Sequence, residues 1–426
     1  MTATHPALTQ FRIEPQTNGL IHFVFDCPDR TMNVFSNKAI HELAAFAEWL
    51  HRADDVRGVV VRSGKGNGFC AGADLTELGV AYDMIVAAPP ADRFDIAFTH
   101  FFALSHAIRR LETAGKPVAA AIAGVALGGG CELALGAHYR VVTDSKRAML
   151  GLPESGVGLL PGAGGTQRMP RLIGIELGLE VLLEGRTLQG QAALDAGLVQ
   201  RVVAEGEEVA AAEEWLLSGA AHAVQPWDRP NAAMPGWDEL APALDRHRTR
   251  QLARMLGHEP AAEAILNCVA LGLTQRFDGA IRAEMAQFTW LIQRPEARNQ
   301  IRTMFLGKQA YDKAGRDGGL PEAVTAAADA LGAAVAQAVA VSPDLRRAGF
   351  LPGEGLGPAQ LRASDDFWFR SDPALATAVA ELGGAAAALV APLAGNEQLM
   401  LDHVVVRAGT VPAYLGGATG LAALAG

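Results

Sequence analysis

The sequence predicts an α/β protein with largely parallel strands, followed by a mostly helical C-terminal region. Three observations predict it. Short runs rich in β-branched and aromatic residues alternate with amphipathic helical segments through the first half of the chain. Glycine clusters stand directly after two of those runs. Beyond residue 236 the pattern turns helical, and near residue 318 it gives way to alanine and glycine. Strands that alternate with helices are the pattern of an α/β fold, in which helices cover a mostly parallel sheet.

Each element follows from its own residues. Residues 20–26 (LIHFVFD) and 57–62 (RGVVVR) read as buried strands. Between them, residues 37–52 place Ile40, Leu43, Ala44, Ala47 and Leu50 on one helical face. A further strand is expected at 117–123 (PVAAAIA), then a glycine cluster with a short helix, then HYRVV at 138–142. After a glycine-rich turn at 161–165, residues 166–203 form short helical pieces ending in a strand-like LVQRVV. Residues 207–224 read as a helix, and the three prolines of 225–236 (QPWDRPNAAMPG) mark a boundary. Helices are expected over 240–313 with breaks at Pro260 and Pro295, and one strand-like piece, HVVVR, at 403–407. The expected division is 1–222, 223–317 and an alanine- and glycine-rich 318–426.

Composition narrows the function. Half of the 426 residues are hydrophobic, enough for a real core. Lysine and arginine total 36 against 46 acidic residues, a net charge of −10 that disfavours nucleic acid and anionic membrane surfaces as partners. The first residues lack the basic end and apolar run of a secretory signal. The most apolar stretch, 374–395, is mostly alanine and glycine and carries Glu381 and Pro392. A membrane span needs ~20 strongly apolar residues, so none is expected, and the expected location is cytoplasmic. Cys27, Cys70, Cys131 and Cys268 are widely spaced, with no zinc-ligand pattern, so no metal site or disulfide framework is expected.

Three clusters carry chemistry: GFCAGADLTEL (68–78), AGVALGGGCELALG (123–136) and GLPESGVGLLPGAGGTQR (151–168). Gly128-Gly129-Gly130 opens a helical segment, and free amides at a helix start suit a developing negative charge. The loop Ala71-Gly72-Ala73-Asp74 can supply a second donor, so that two amides meet one thioester carbonyl oxygen and stabilise its enolate. Glu132 lies one turn into an apolar helix, and Glu154 follows a proline in an apolar loop. Placed together, they could hold a water and move its protons, their pKa values pushed apart by burial and repulsion. Plainer readings stand beside these: tight turns for the glycines, a helix-start charge for Glu132, a solvated loop acid for Glu154, a helix cap for Asp74. PGAGGTQR evokes a dinucleotide loop, but Gln167 stands at its last glycine position.

Taken together and in this order, GFCAGADL, GVALGGGCELALG and GLPESGVGLLPGAGGTQRMPRLIG resemble the enoyl-CoA hydratase (crotonase) superfamily over roughly residues 10–220. With ARNQIRTMF at 297–305, the chain is similar to the hydratase portion of multifunctional fatty-acid β-oxidation proteins. There a helical segment leads into a dehydrogenase half, whose fingerprint does not follow here. The resemblance implies a spiral of βαβ units followed by helices. It assigns the oxyanion-hole amides to Ala71 and Gly129, the acyl-CoA channel to Ala71, Gly72, Ala73 and Asp74, and catalysis to Glu132 and Glu154. The implied reaction hydrates a trans-2-enoyl-CoA to a 3-hydroxyacyl-CoA, with coenzyme A only as part of the substrate. A Δ3,Δ2-enoyl-CoA isomerase or other crotonase-type reaction, and a non-catalytic acyl-CoA-binding or assembly subunit, are the alternatives. Implied partners are copies of the chain, as a trimer or hexamer, or other β-oxidation enzymes. Arg168 reads either as structural or as a partner for phosphate charge.

Overall fold

The apolar runs of the first half become the strands of two sheets. In the computed structural model, residues 5–28, 30–255, 259–351 and 367–425 are described. The strands are β1 (Phe11–Pro15), β2 (Leu20–Phe25), β3 (Gly58–Ser63), β4 (Gly68–Cys70), β5 (Val118–Ile122), β6 (Val125–Leu127), β7 (Tyr139–Thr143), β8 (Met149–Gly151), β9 (Thr187–Gln189) and β10 (Arg201–Val203). The larger sheet runs β1-β2-β3-β5-β7-β10, parallel except for the β1–β2 hairpin. Every residue of β2 and β5 is buried, which is why their sequences run apolar rather than alternating. The Asn37–Leu50 helix crosses from β2 to β3, its start capped by Ser36, whose hydroxyl accepts the Ala39 amide at 3.2 Å.

The smaller sheet has the order β4-β6-β8-β9. The chain leaves β3, β5 and β7 and within a few residues adds β4, β6 and β8 in turn, so each turn of the spiral feeds both sheets. β4, β6 and β8 pair in parallel, with Gly68 opposite Val125 and Leu127 opposite Gly151. Their C-terminal ends therefore lie side by side, and each of the three sequence clusters emerges from one of them.

Two compact units divide the chain. The first holds the residues up to Ser155 together with Leu160–Leu244 and Ala264–Trp290. Its core includes a run of stacked rings, Phe11 on Phe23 (4.4 Å) and on Phe25 (4.2 Å), and Phe23 on Phe46 (3.8 Å). The second holds Gly156–Leu159, Asp245–Glu263 and Leu291–Gly426. It is helical, with Val324, Leu331, Val335, Leu375, Val379, Leu401 and Leu421 in one core. This partition departs from the expected boundaries at 222 and 317. Phe277 stacks on Trp227 at 5.0 Å within the first unit, whereas Ala310 and Ala314 pack on the core of the second.

HVVVR, expected as a strand, lies inside the helix Gly395–Arg407. There Leu401 and Val405 fall one turn apart on the buried face, while Arg302 holds Asp402 at 2.9 Å and His403 meets the Thr303 carbonyl at 3.0 Å. Packing overrides the local β preference of three valines. The helices Glu322–Val341 and Pro373–Val390 are long and apolar enough, by length and composition, to cross a membrane. Each lays one stripe into the second unit's core, Val324, Leu331, Val335 and Val339 in the former and Leu375, Val379, Leu382 and Ala386 in the latter.

The stacked rings give the first test. Phe46→Ala removes a fully buried ring and is expected to lower the stability of the first unit by about 3–5 kcal/mol, read from urea unfolding. A loss below about 1 kcal/mol would mean that the ring does not carry this core.

Candidate active site

Close backbone approach builds the site. Gly130, at the start of the Gly129–Gly136 helix, packs so tightly that a Cβ there would lie 2.4 Å from the Cys70 carbonyl oxygen. Gly128 has φ +53°, a left-handed conformation in which side chains are rare, and a Cβ there would meet Glu154 Oε1 at 2.9 Å. These glycines bring the end of β4 against the end of β6 and set Glu154 beside the helix start.

Segment 33–35 holds the loop after β4. The Phe35 amide donates to the Gly72 carbonyl at 2.8 Å, and the Asp74 amide donates to the Phe35 carbonyl at 3.0 Å. The Ala71 amide donates to the Asn33 carbonyl at 2.9 Å. Ala71 was the expected oxyanion donor, and this bond consumes its only N–H. The Ala73 and Gly129 amides have no acceptor among the described residues. Asp74 caps the Leu75–Ala87 helix by accepting from the Thr76 amide at 3.0 Å, and it pairs with Arg30 at 2.6 Å. Its carboxylate is occupied in holding the loop, so the face this loop offers a ligand is the backbone of Gly72 and Ala73.

The two expected glutamates differ in their surroundings. Glu132 is buried, and its Oε1 accepts the amides of Ala163 (2.7 Å) and Gly165 (2.8 Å). Burial pushes its carboxyl up to about 7, against the pull of those two amides and of Arg168. Glu154 lies in the 3₁₀ turn Pro153–Val157 directly after β8. The residue as a whole is partly exposed, but its Oε2 is buried and has no hydrogen-bond partner among the described residues. Burial pushes this carboxyl well above the ordinary carboxylate range, and the charges of Glu132 and Glu284 push it further.

Arg168 is structural. It is fully buried, grips Glu112 through Nε at 3.1 Å and Nη2 at 2.8 Å, and donates to the Ala163 carbonyl at 2.9 Å. The Phe277 ring lies 4.8 Å from its guanidinium carbon. Buried to this extent, the guanidinium presents no donor to a phosphate in solvent. The four cysteines are buried and unpaired, and burial pushes the Cys131 thiol far up, so it stays protonated and inert.

Sequence reasoning missed Glu284. It sits in the helix Phe277–Ile292, fully buried, and accepts the Gly164 amide at 2.6 Å and the Thr166 amide at 3.0 Å. A signal exists in the sequence: Glu284 falls on the same helical stripe as the buried Ile281, Met285 and Phe288.

A spiral of parallel strands, with free amides at two loop ends and two buried carboxyls beside them, is the architecture of a crotonase-type enzyme. The family model for enoyl-CoA hydratase/isomerase matches residues 16–234, and the chain belongs to that family. The fatty acid oxidation complex subunit alpha of Shewanella loihica is 35% identical over 306 residues, which is 71% of this chain and 42% of that protein. The same subunit of Idiomarina loihiensis is 30% identical over 74% of this chain and 43% of its own length. The chain thus spans less than half the length of these curated relatives. Among solved structures, an enoyl-CoA hydratase of Bacillus anthracis is 26% identical, with a TM-score of 0.43 over 72% of this chain and 96% of the other.

The buried carboxyls fix a pH dependence. Glu132 and Glu284 lose their protons near pH 4.5 when unfolded but at about 7 and about 8 when folded. Across that interval the folded chain binds more protons, so stability falls as pH rises. Burial of neutral His138 works in the opposite sense, but only up to its ordinary value of 6.5. Urea midpoints are therefore expected to fall between pH 6.5 and 8, and less steeply in Glu132→Gln. A midpoint that rises across this interval would contradict the buried-carboxyl assignment.

Proposed function

We propose that this chain hydrates trans-2-enoyl-CoA thioesters to 3-hydroxyacyl-CoA. One observation carries the reading: Glu154 holds a buried, unpartnered carboxyl oxygen beside Gly128, next to a second buried carboxyl and a free helix-start amide. The thioester oxygen accepts from the amides of Ala73 and Gly129, two donors of which either is worth roughly 3–4 kcal/mol in the transition state.

The surroundings divide the labour between the acids. Two amides favour the charged form of Glu132, which suits a base. No donor supports a charge on Oε2 of Glu154, which suits an acid. Glu132 takes a proton from water, and the hydroxide oxygen bonds to C3. The C2=C3 electron pair moves into the thioester enolate, and Glu154 delivers a proton to C2. Return of the proton from Glu132 to Glu154 resets the pair, and the sum is addition of one water. The step balances without a redox partner or metal, and coenzyme A enters only as part of the substrate. An isomerase needs only one such acid, so a second buried carboxyl favours hydration. The relatives' name, fatty acid oxidation complex subunit alpha, supports β-oxidation as the setting and an oxidation-complex subunit as a partner.

Loss of conjugated enoyl-thioester absorbance on adding the purified chain is the expected result. Glu154→Gln should cut turnover at least ~10²-fold while a CoA ester still binds. Reaction of a 3-enoyl thioester alone, or near-normal turnover in folded Glu154→Gln, would overturn the reading.

A further inference from the structure

The loop that binds Glu132 is held by two acids in alternation. Of four successive amides, Ala163 and Gly165 donate to Glu132 Oε1, while Gly164 donates to Glu284 Oε1 and Thr166 to Glu284 Oε2. The Thr166 hydroxyl adds a third donor to Glu284 at 2.5 Å. Neighbouring amides of one loop thus point to opposite sides, each side closed by a buried carboxylate. Neither acid can shift without dragging the loop past the other. The register in which Glu132 is gripped is therefore set from the far side, by a residue 120 positions away from Gly164.

We propose that Glu284 is a positioning residue: it locks the Ala163–Thr166 loop onto Glu132, and its charge sets how protons are shared between Glu132 and Glu154. The inference deepens the hydratase reading and rests on it for the roles of those two acids. The groups facing Glu284 are Glu132, Glu154, Arg168, Arg171, Thr166 and the Cys268 thiol. Arg168 is already committed to Glu112, and Arg171 donates to the carbonyls of Gln167 and Gly272. Three buried carboxyls thus share one neighbourhood in which the nearest full cation is spent elsewhere. They cannot all ionise at neutral pH, and an ionised Glu284 holds protons on its neighbours. Burial and the charge of Glu132 push Glu284 itself up to about 8, so it changes charge at mildly alkaline pH.

The test follows the infrared carboxyl bands of Glu132 and Glu154 against pH in the whole chain, assigned by their loss in Glu132→Gln and Glu154→Gln. Glu284→Gln removes a like charge that helps hold the Glu154 proton, so the Glu154 midpoint is expected to fall, by about half a pH unit or more. Thr166→Val is the second variant, needed if the glutamine fails to fold beside the Thr166 amide. It removes one donor to the charged form, keeps Glu284 protonated to higher pH, and lowers the Glu154 midpoint the same way. The basic limb of kcat/KM in hydration moves down with it, because Glu154 must be protonated to act. A purely structural Glu284 would lower turnover and leave the Glu154 midpoint where it was. An unmoved Glu154 midpoint in whichever variant folds overturns the proposal. A lowered midpoint in a chain that hydrates no enoyl-CoA would instead overturn the hydratase reading and leave the coupling standing.

Discussion

The parallel pairing of β4, β6 and β8 is the constraint on which the site depends. Three strands of three residues each have little stability of their own. They are held because each is tethered within a few residues to a long, buried strand of the larger sheet. Parallel pairing puts their ends together, and the glycines at 128 and 130 let those ends approach to backbone contact. Amides from two loops and the Glu154 carboxyl then meet without any one segment having to be long.

What those ends assemble is costly to fold. Glu132, Glu154 and Glu284 are buried carboxyls whose ordinary charge is opposed by desolvation and by one another. The surrounding structure offsets part of this with backbone amides and a committed ion pair, Arg168 with Glu112, which pins the Ala163 carbonyl of the same loop. A loop that donates on both sides and accepts from a buried arginine has little freedom left. That rigidity lets two chemically identical side chains differ in proton affinity, as the proposed acid and base must.

How far the site is legible in the sequence depends on distance along the chain. β2, β3, β5 and β7 are readable because they are buried through most of their length and so run apolar. β4, β6, β8 and β9 are not, since three residues carry no period. Glu132 and Glu154 stand out as acids in apolar surroundings beside glycine clusters, and the structure brings both to the ends of the smaller sheet. The donor amide is where local reading fails. Ala71 and Ala73 are equivalent as residues, and only pairing with Asn33 and Phe35, far back in the chain, spends the first and frees the second. Glu284 is hidden for the same reason, its partners lying more than a hundred positions earlier.

The central claim is that amides from two loops converge on one thioester oxygen. A crystal structure of the chain with a non-reactive acyl-CoA thioester tests it most directly. That oxygen is expected about 2.7–3.1 Å from both the Ala73 and the Gly129 nitrogens, with Glu154 over the acyl carbons next to it. A thioester oxygen bound by the Ala71 amide, or by neither loop, would contradict it.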